Sequence, residues 1–184
     1  MSDFAHRAFD YLLSSELVPV FIRMKIMRMR GYDFPPSTCI WSRHIIKSKR
    51  MSLGHESFIN VGFFFDGAGD LKIGSRVRIG QFVRILTATH EIGPSEQRCT
   101  MEAVIKPVSI ENGCWIGANV TILPGVVIRK GCVIGANSVV TKSTEPDCLY
   151  LGNPARKVRK LKGPAEVMRW EDAVSPPLKL AERR

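Results

Sequence analysis

The chain has 184 residues and a formal net charge of +10, a length that suits one domain with additions and a continuous core. Five cysteines, an odd number with no C-x-x-C spacing, suggest neither a disulfide framework nor a zinc ribbon. No signal peptide opens the sequence and no apolar run reaches the roughly 18 residues of a membrane span, so a cytoplasmic protein is expected. The excess of positive charge implies a polyanionic partner, whether nucleic acid, membrane or a phosphate-bearing cofactor. Nucleic acid fits least, because the chain carries no motif for reading bases.

Residues 1–31 read as a helical, basic segment. Asp3 can cap a helix with Phe4, Ala8, Tyr11 and Leu12 on one face, and Pro19 breaks it. The second piece, Val20 to Arg30, mixes Phe21, Ile22, Met24, Ile26, Met27 and Met29 with Arg23, Lys25, Arg28 and Arg30. Such a helix can lie on an anionic bilayer. Packing across the end of the next domain is the favoured alternative, since it would cover open strand edges.

From residue 32 to 152 a six-residue beat takes over. It is ragged around Ile40 and Ile45, then runs through Leu53, Ile59 and Phe65, slips by two residues at Leu71-Lys72, and resumes at Ile73, Ile79 and Ile85. After an interruption it becomes regular: Ile110, Ile116, Ile122, Ile128, Ile134 and Val140, with Cys114, Val120, Val126, Cys132, Ser138 and Thr144 four residues after each. Neither a 3.6-residue nor a 2-residue period gives this pattern; a hexapeptide repeat is the mark of a β-helix whose short strands stack as rungs. Three hexads make one coil, so Ile116-Gly117-Ala118-Asn119 should sit one rung from its copy, Ile134-Gly135-Ala136-Asn137. The aliphatic head and the small residue four later should point inward, with Gly in the second slot relieving crowding at the corners. Cys114 and Cys132 then read as small core fillers rather than a redox or metal pair. Residues 91–109 break the beat as an excursion loop of a length usually found at functional sites. Residues 153–184 form a basic tail with a short helix near Ala165 to Ala173.

These segments resemble a known family. Ile85-Leu86-Thr87-Ala88-Thr89-His90, the looped-out run with Pro94, Glu96 and Arg98, Lys106-Pro107-Val108, Cys114-Trp115-Ile116-Gly117, Ile122-Leu123-Pro124-Gly125-Val126, Val139-Val140-Thr141-Lys142 and Gly152-Asn153-Pro154-Ala155-Arg156 are similar to the hexapeptide-repeat O-acetyltransferases of the maltose, galactoside and nodulation-factor type. The resemblance spans roughly residues 51–162. It implies an all-β left-handed parallel β-helix, a homotrimer, acetyl-coenzyme A as acyl donor without a metal, and active sites between subunits. The N-terminal basic segment departs from the helical leader of the sugar enzymes. It resembles instead members tied to capsule, lipopolysaccharide or exopolysaccharide synthesis, and so leaves the acceptor open among sugars and glycan intermediates at the inner face of the membrane.

The resemblance places the catalytic histidine at His90, where an imidazole can take the proton of a hydroxyl attacking a thioester. Asn60 and Asp66 fall near acceptor-binding positions and could bond sugar hydroxyls or orient His90, although both also suit turns. Trp115 resembles the aromatic lining the acceptor and acyl site. Ala118 and Ala136 correspond to backbone positions along the pantetheine arm, Thr141 and Lys142 follow at the groove, and Arg156 and Arg159 extend toward the phosphates, for which the arginine fork is suited. Arg98 is expected to anchor the loop by a salt bridge. His6, His44 and His55 read as structural. The sequence singles out no oxyanion donors.

Three other readings compete. A non-catalytic β-helix scaffold would not need His90, Trp115 and Thr141-Lys142 together. A γ-type carbonic anhydrase needs three metal-binding histidines, and only His90 lies in the regular region. A xenobiotic or antibiotic acetyltransferase of the same superfamily fits the context of His90 less well than a sugar enzyme.

Overall fold

The six-residue beat folds into a three-faced prism of parallel strands, most of them two or three residues long. The computed structural model describes the backbone of residues 3–161, and side chains from residue 8 onward. Lys162 and the short helix expected near Ala165 to Ala173 lie outside the described residues. One face stacks Met51–Leu53, Leu71–Ile73, Val108–Ile110 and Val127–Ile128. The next stacks Cys39–Ile40, Phe58–Ile59, Arg78–Ile79, Trp115–Ile116, Val133–Ile134 and Cys148–Leu151; the third stacks Ile45–Ile46, Phe64–Phe65, Arg84–Ile85, Thr121–Ile122 and Val139–Val140. Register follows the beat, so Ile79, Ile116 and Ile134 lie one above another. The fold is the parallel β-solenoid expected for a hexapeptide repeat.

The core is the column of hexad heads and the column of small residues four later. Ile73, Ile79, Ile85, Ile110, Ile116, Ile122, Ile128 and Ile134 are buried, as are Val77, Val83, Cys114, Val120, Val126 and Cys132. The thiols act as core fillers: Cys114 Sγ donates to the Arg129 carbonyl at 3.1 Å and Cys132 Sγ to that of Glu145 at 2.9 Å. Burial pushes the Cys114 thiol up to about 12.

Two different positions turn the corners. Positive φ falls three residues after a head, at Glu56, Gly62, Arg76, Phe82, Gly113, Asn119, Gly125, Gly131 and Asn137. Second-slot glycine has another purpose, close approach of successive rungs. A Cβ at Gly117 would stand 2.6 Å from the Ala136 nitrogen and 2.9 Å from the Ile134 oxygen, backbone atoms that cannot give way.

Helices α1 (Asp3–Leu13) and α2 (Val20–Met29) close the N-terminal end. Pro19 is the N-cap of α2, in keeping with its fixed φ. Met24, Met27 and Arg23 face inward. Arg23 is only 1% exposed, and its guanidinium donates to the carbonyls of Leu13, Ile40, Ser15 and Val18. It thus ties the end of α1 to the first coil, and burial lowers its pKa from the ordinary arginine value. Of the four cations of Val20 to Arg30, Arg23 therefore belongs to the packed face and not to a surface that could meet a bilayer. Arg30 is likewise engaged, in an ion pair with Asp10 and over the Phe9 ring at 4.9 Å.

The tail begins with a strand rather than loose chain. Arg156–Lys160 runs antiparallel to Cys148–Leu151 after a cis Asn153-Pro154 peptide.

Candidate active site

The interruption of the beat is an antiparallel ribbon, Ala88–Ile92 paired with Cys99–Ile105, that leaves the prism after the third-face strand Arg84–Ile85. Its root is the most polar buried point of that corner. Thr87 is 0% exposed; its backbone N–H donates to Asp66 Oδ2 at 2.7 Å, and its hydroxyl donates to Asp66 Oδ1. The Ala88 N–H reaches Asp66 Oδ2 at 3.1 Å and the Gly69 N–H reaches Thr87 Oγ1 at 2.8 Å. The second foot is tied in as well, Lys106 N–H donating to the Thr87 carbonyl at 2.8 Å and Val108 N–H to that of Asp70 at 3.0 Å. The two-residue slip between Phe65 and Ile73 therefore has a physical purpose. It wraps Asp66 to Asp70 around Thr87 and seats the ribbon.

Three residues beyond Thr87, His90 is exposed and pairs across the ribbon with Ala103. Its Nδ1 lies 3.2 Å from the Glu102 carbonyl. A carbonyl can only accept, so this contact puts the proton on Nδ1 and leaves Nε2 as the basic atom. The tip is tied by Arg98, whose Nη1 donates to the Gly93 carbonyl at 3.2 Å. The anchor is thus a backbone carbonyl rather than the carboxylate of an expected salt bridge.

The other sequence-selected residues distribute over two edges and one face. Thr141 and Lys142, both exposed, follow the strand above Thr121–Ile122 on the edge that carries Asp66 and the His90 ribbon. Gly152 and Ala155 pair with Val139, which brings the exposed Arg156 beside the same end of the prism. Arg159 stands on the same terminal strand, paired with Leu149. The opposite edge of the third face carries Asn60, Ala118 and Ala136. There Asn119 Nδ2 donates to Asn137 Oδ1 at 2.7 Å and Arg84 Nη1 to Asn119 Oδ1 at 2.7 Å. Asn60 Oδ1 accepts the Val61 N–H at 2.8 Å, the turn chemistry that such a residue favours. Trp115 is 47% exposed on the second face, between Arg78 and Val133. One chain therefore does not bring His90, Trp115 and Asn60 together.

Two cavities lie away from this edge. One of about 600 Å³ opens between α1 and the first coil beside Tyr11, Met27, Tyr32 and His44, and one of about 550 Å³ beside Ser37, Glu56 and Arg78. Neither is lined by His90. Among the described residues no group of three His, Cys, Asp or Glu could hold a metal ion.

Sequence reasoning passed over two groups. Thr87 stood in a quoted motif without a role, although a polar residue two after a head was a usable signal. The Glu102 carbonyl carries no side-chain signal, and only the pairing of the ribbon reveals it.

Comparison with known proteins agrees with this architecture. The family profile described as hexapeptide repeat of succinyl-transferase matches residues 107–142. A hexapeptide-repeat-containing acetyltransferase of Vibrio cholerae, solved with acetyl-coenzyme A, is 30% identical with a TM-score of 0.70, covering 86% of this chain and 87% of that one. A maltose O-acetyltransferase of Clostridium difficile is 27% identical with a TM-score of 0.66, covering 87% and 88%. Nodulation protein L of Rhizobium meliloti is 37% identical over 122 residues, 66% of this chain and 63% of its own length. The chain spans about half the length of other curated relatives, 52% for a Schizosaccharomyces pombe protein that is 38% identical over 108 residues. The beat, the stacked faces and the similarity along nearly the whole Vibrio structure agree, and the chain belongs to the hexapeptide-repeat acetyltransferases.

Proposed function

We propose that the protein transfers an acetyl group from acetyl-coenzyme A to a hydroxyl of a sugar or glycan intermediate, with His90 as general base. The observation that carries this reading is the hydrogen bond from His90 Nδ1 to the Glu102 carbonyl, which leaves Nε2 basic on the exposed part of a ribbon tethered at its root. His90 Nε2 takes the hydroxyl proton as the oxygen attacks the thioester carbonyl, and returns it to the departing thiolate. The net change is one C–O bond formed and one C–S bond broken. Asp66 acts as a positioning residue. Its carboxylate holds Thr87 and Ala88, and so fixes where the His90 strand starts.

The residues present suit the donor. Ala118 and Ala136, brought into close register by Gly117, offer backbone for an amide-bearing arm. Lys142, Arg156 and Arg159 supply cations at the C-terminal end for phosphates, with Thr141 as a nearby hydroxyl. Asn60 and Trp115 line the acceptor side.

Because these groups stand on separate edges and faces, the site is completed by a neighbouring copy. A homotrimer closes this heterologous contact, each copy setting one edge against a different edge of the next. The test is acetyl-coenzyme A turnover against free, nucleotide-linked and lipid-linked sugars, with sedimentation on the same preparation. Turnover with one of these classes by a trimer is expected. A fully active monomer would remove the shared site, and the absence of turnover with all three classes would remove the sugar acceptor.

A further inference from the structure

The most conspicuous surface outside the candidate site is the outer side of the N-terminal helices. Residues Phe21, Ile22, Lys25 and Met29 recur at helical spacing on α2, opposite the face that buries Met24 and Met27. Phe21 is 73% exposed and Met29 77%; Leu17 in the connection is 92% exposed, and Leu12 at the end of α1 is exposed too. α2 is therefore apolar on both sides, and the β-helix covers only one. A cluster of large apolar side chains on a helix pair marks an interaction surface.

Charge decides what kind. Between residues 8 and 50 there are eight Lys and Arg against three carboxylates. Two of these three are matched, Asp10 by Arg30 and Glu16 by Arg43 at 3.8 Å, leaving Asp33 as the third. Exposed Lys25 and Lys49 remain at this end, while the Lys47 ammonium stands 5.4 Å over the Phe64 ring. Lys49 reaches the turn that follows α2, its Nζ 3.9 Å from where a Cβ on Gly31 would stand. An apolar helix face with lysines around it is complementary to an anionic bilayer surface, apolar side chains entering the acyl boundary and ammonium groups meeting the headgroups. No described helix is long and apolar enough to cross a membrane, so such contact would lie along the surface. We infer that this protein docks on anionic membranes through Phe21, Met29 and Leu17, with Lys25 and Lys49 as the electrostatic rim. The inference is independent of the acceptor, since it concerns the end of the prism and not the His90 edge.

The experiment is co-sedimentation of the full chain with phosphatidylcholine vesicles, with and without phosphatidylglycerol, at low and high salt. Binding to the phosphatidylglycerol vesicles that weakens with salt is expected. Phe21→Asp with Met29→Asp should lower the partition coefficient by about 10-fold or more, and Lys25→Glu by a smaller factor of about 5. Lys130→Glu, on the far coil, should leave it within about 2-fold. A Phe21→Trp variant, which preserves an exposed aromatic, should be quenched by lipids brominated on the acyl chain. Absence of vesicle binding, equal loss in Lys130→Glu, or an unquenched Phe21→Trp would each overturn the proposal. So would a change in the mass of the vesicle-free protein caused by Phe21→Asp with Met29→Asp, which would assign the face to a second copy of the chain.

Discussion

The regular coils and the excursion ribbon are built on opposite terms. In the coils every head is buried, each rung is held by the next, and glycine is placed where backbones nearly touch. The ribbon presents Ile92, Met101 and His90 to solvent and is fixed chiefly at its root, by Asp66 and Thr87. Rigidity is thus a property of the prism that is lent to the ribbon through one carboxylate. A reactive group can be exposed and still well placed if its strand starts from such an anchor.

The sharpest way to break this contrast is His90→Ala. It should lower kcat by about 10²–10⁴-fold with the melting temperature unchanged, because the side chain is exposed; near-normal turnover would remove the general base. The converse is Ile122→Ala in the core. Denaturant unfolding should register a loss of about 2–5 kcal/mol, while turnover per folded molecule stays close to normal. A smaller loss than about 1 kcal/mol would mean that the coils repack more freely than their stacking implies.

Asp66→Ala tests the junction between the two regions. Leaving the Thr87 and Ala88 donors without their acceptor should cost about 1–3 kcal/mol, and misplacing the ribbon should lower kcat by up to ~10²-fold. If stability falls and kcat does not, Asp66 belongs to the prism alone. The smallest effect concerns His44. It is buried, with Nδ1 donating to the Trp41 carbonyl at 2.9 Å, and burial, the largest cause, lowers its pKa. The unfolded chain then binds a proton more readily than the folded one. The contribution is fully present above the unfolded value of about 6.5 and is lost as pH falls through the interval down to the lowered folded value. Melting temperatures measured from about pH 7.5 to 5 should fall more steeply for the native protein than for His44→Asn; parallel curves would show that His44 is not the titrating group.

The solenoid was legible because its repeat is a steric requirement, as Ile110 to Val140 show. The two thiols could be placed in the core from their slots alone. What stayed hidden came from contacts between distant parts of the chain. The burial of Arg23 cannot be read from a run that alternates cations with methionines, since four carbonyls from α1, its connection and the first coil create its site. The Asp66 and Thr87 clamp lies across a register slip, so spacing placed both residues but could not join them. Gly117 was expected to ease a corner. Its role proved to be rung contact, and the left-handed turn belongs to Asn119.

The corner geometry also governs how such a chain can change length. A whole coil of three hexads can be gained or lost without disturbing its neighbours, but one or two extra residues cannot be absorbed where rungs touch. They must be expelled at an edge. The slip after Phe65 and the ribbon after Ile85 emerge on the same edge in successive coils. That edge is the site where insertions are tolerated, and variation in ribbon length or chemistry there would alter what the protein accepts while leaving the stacked coils intact.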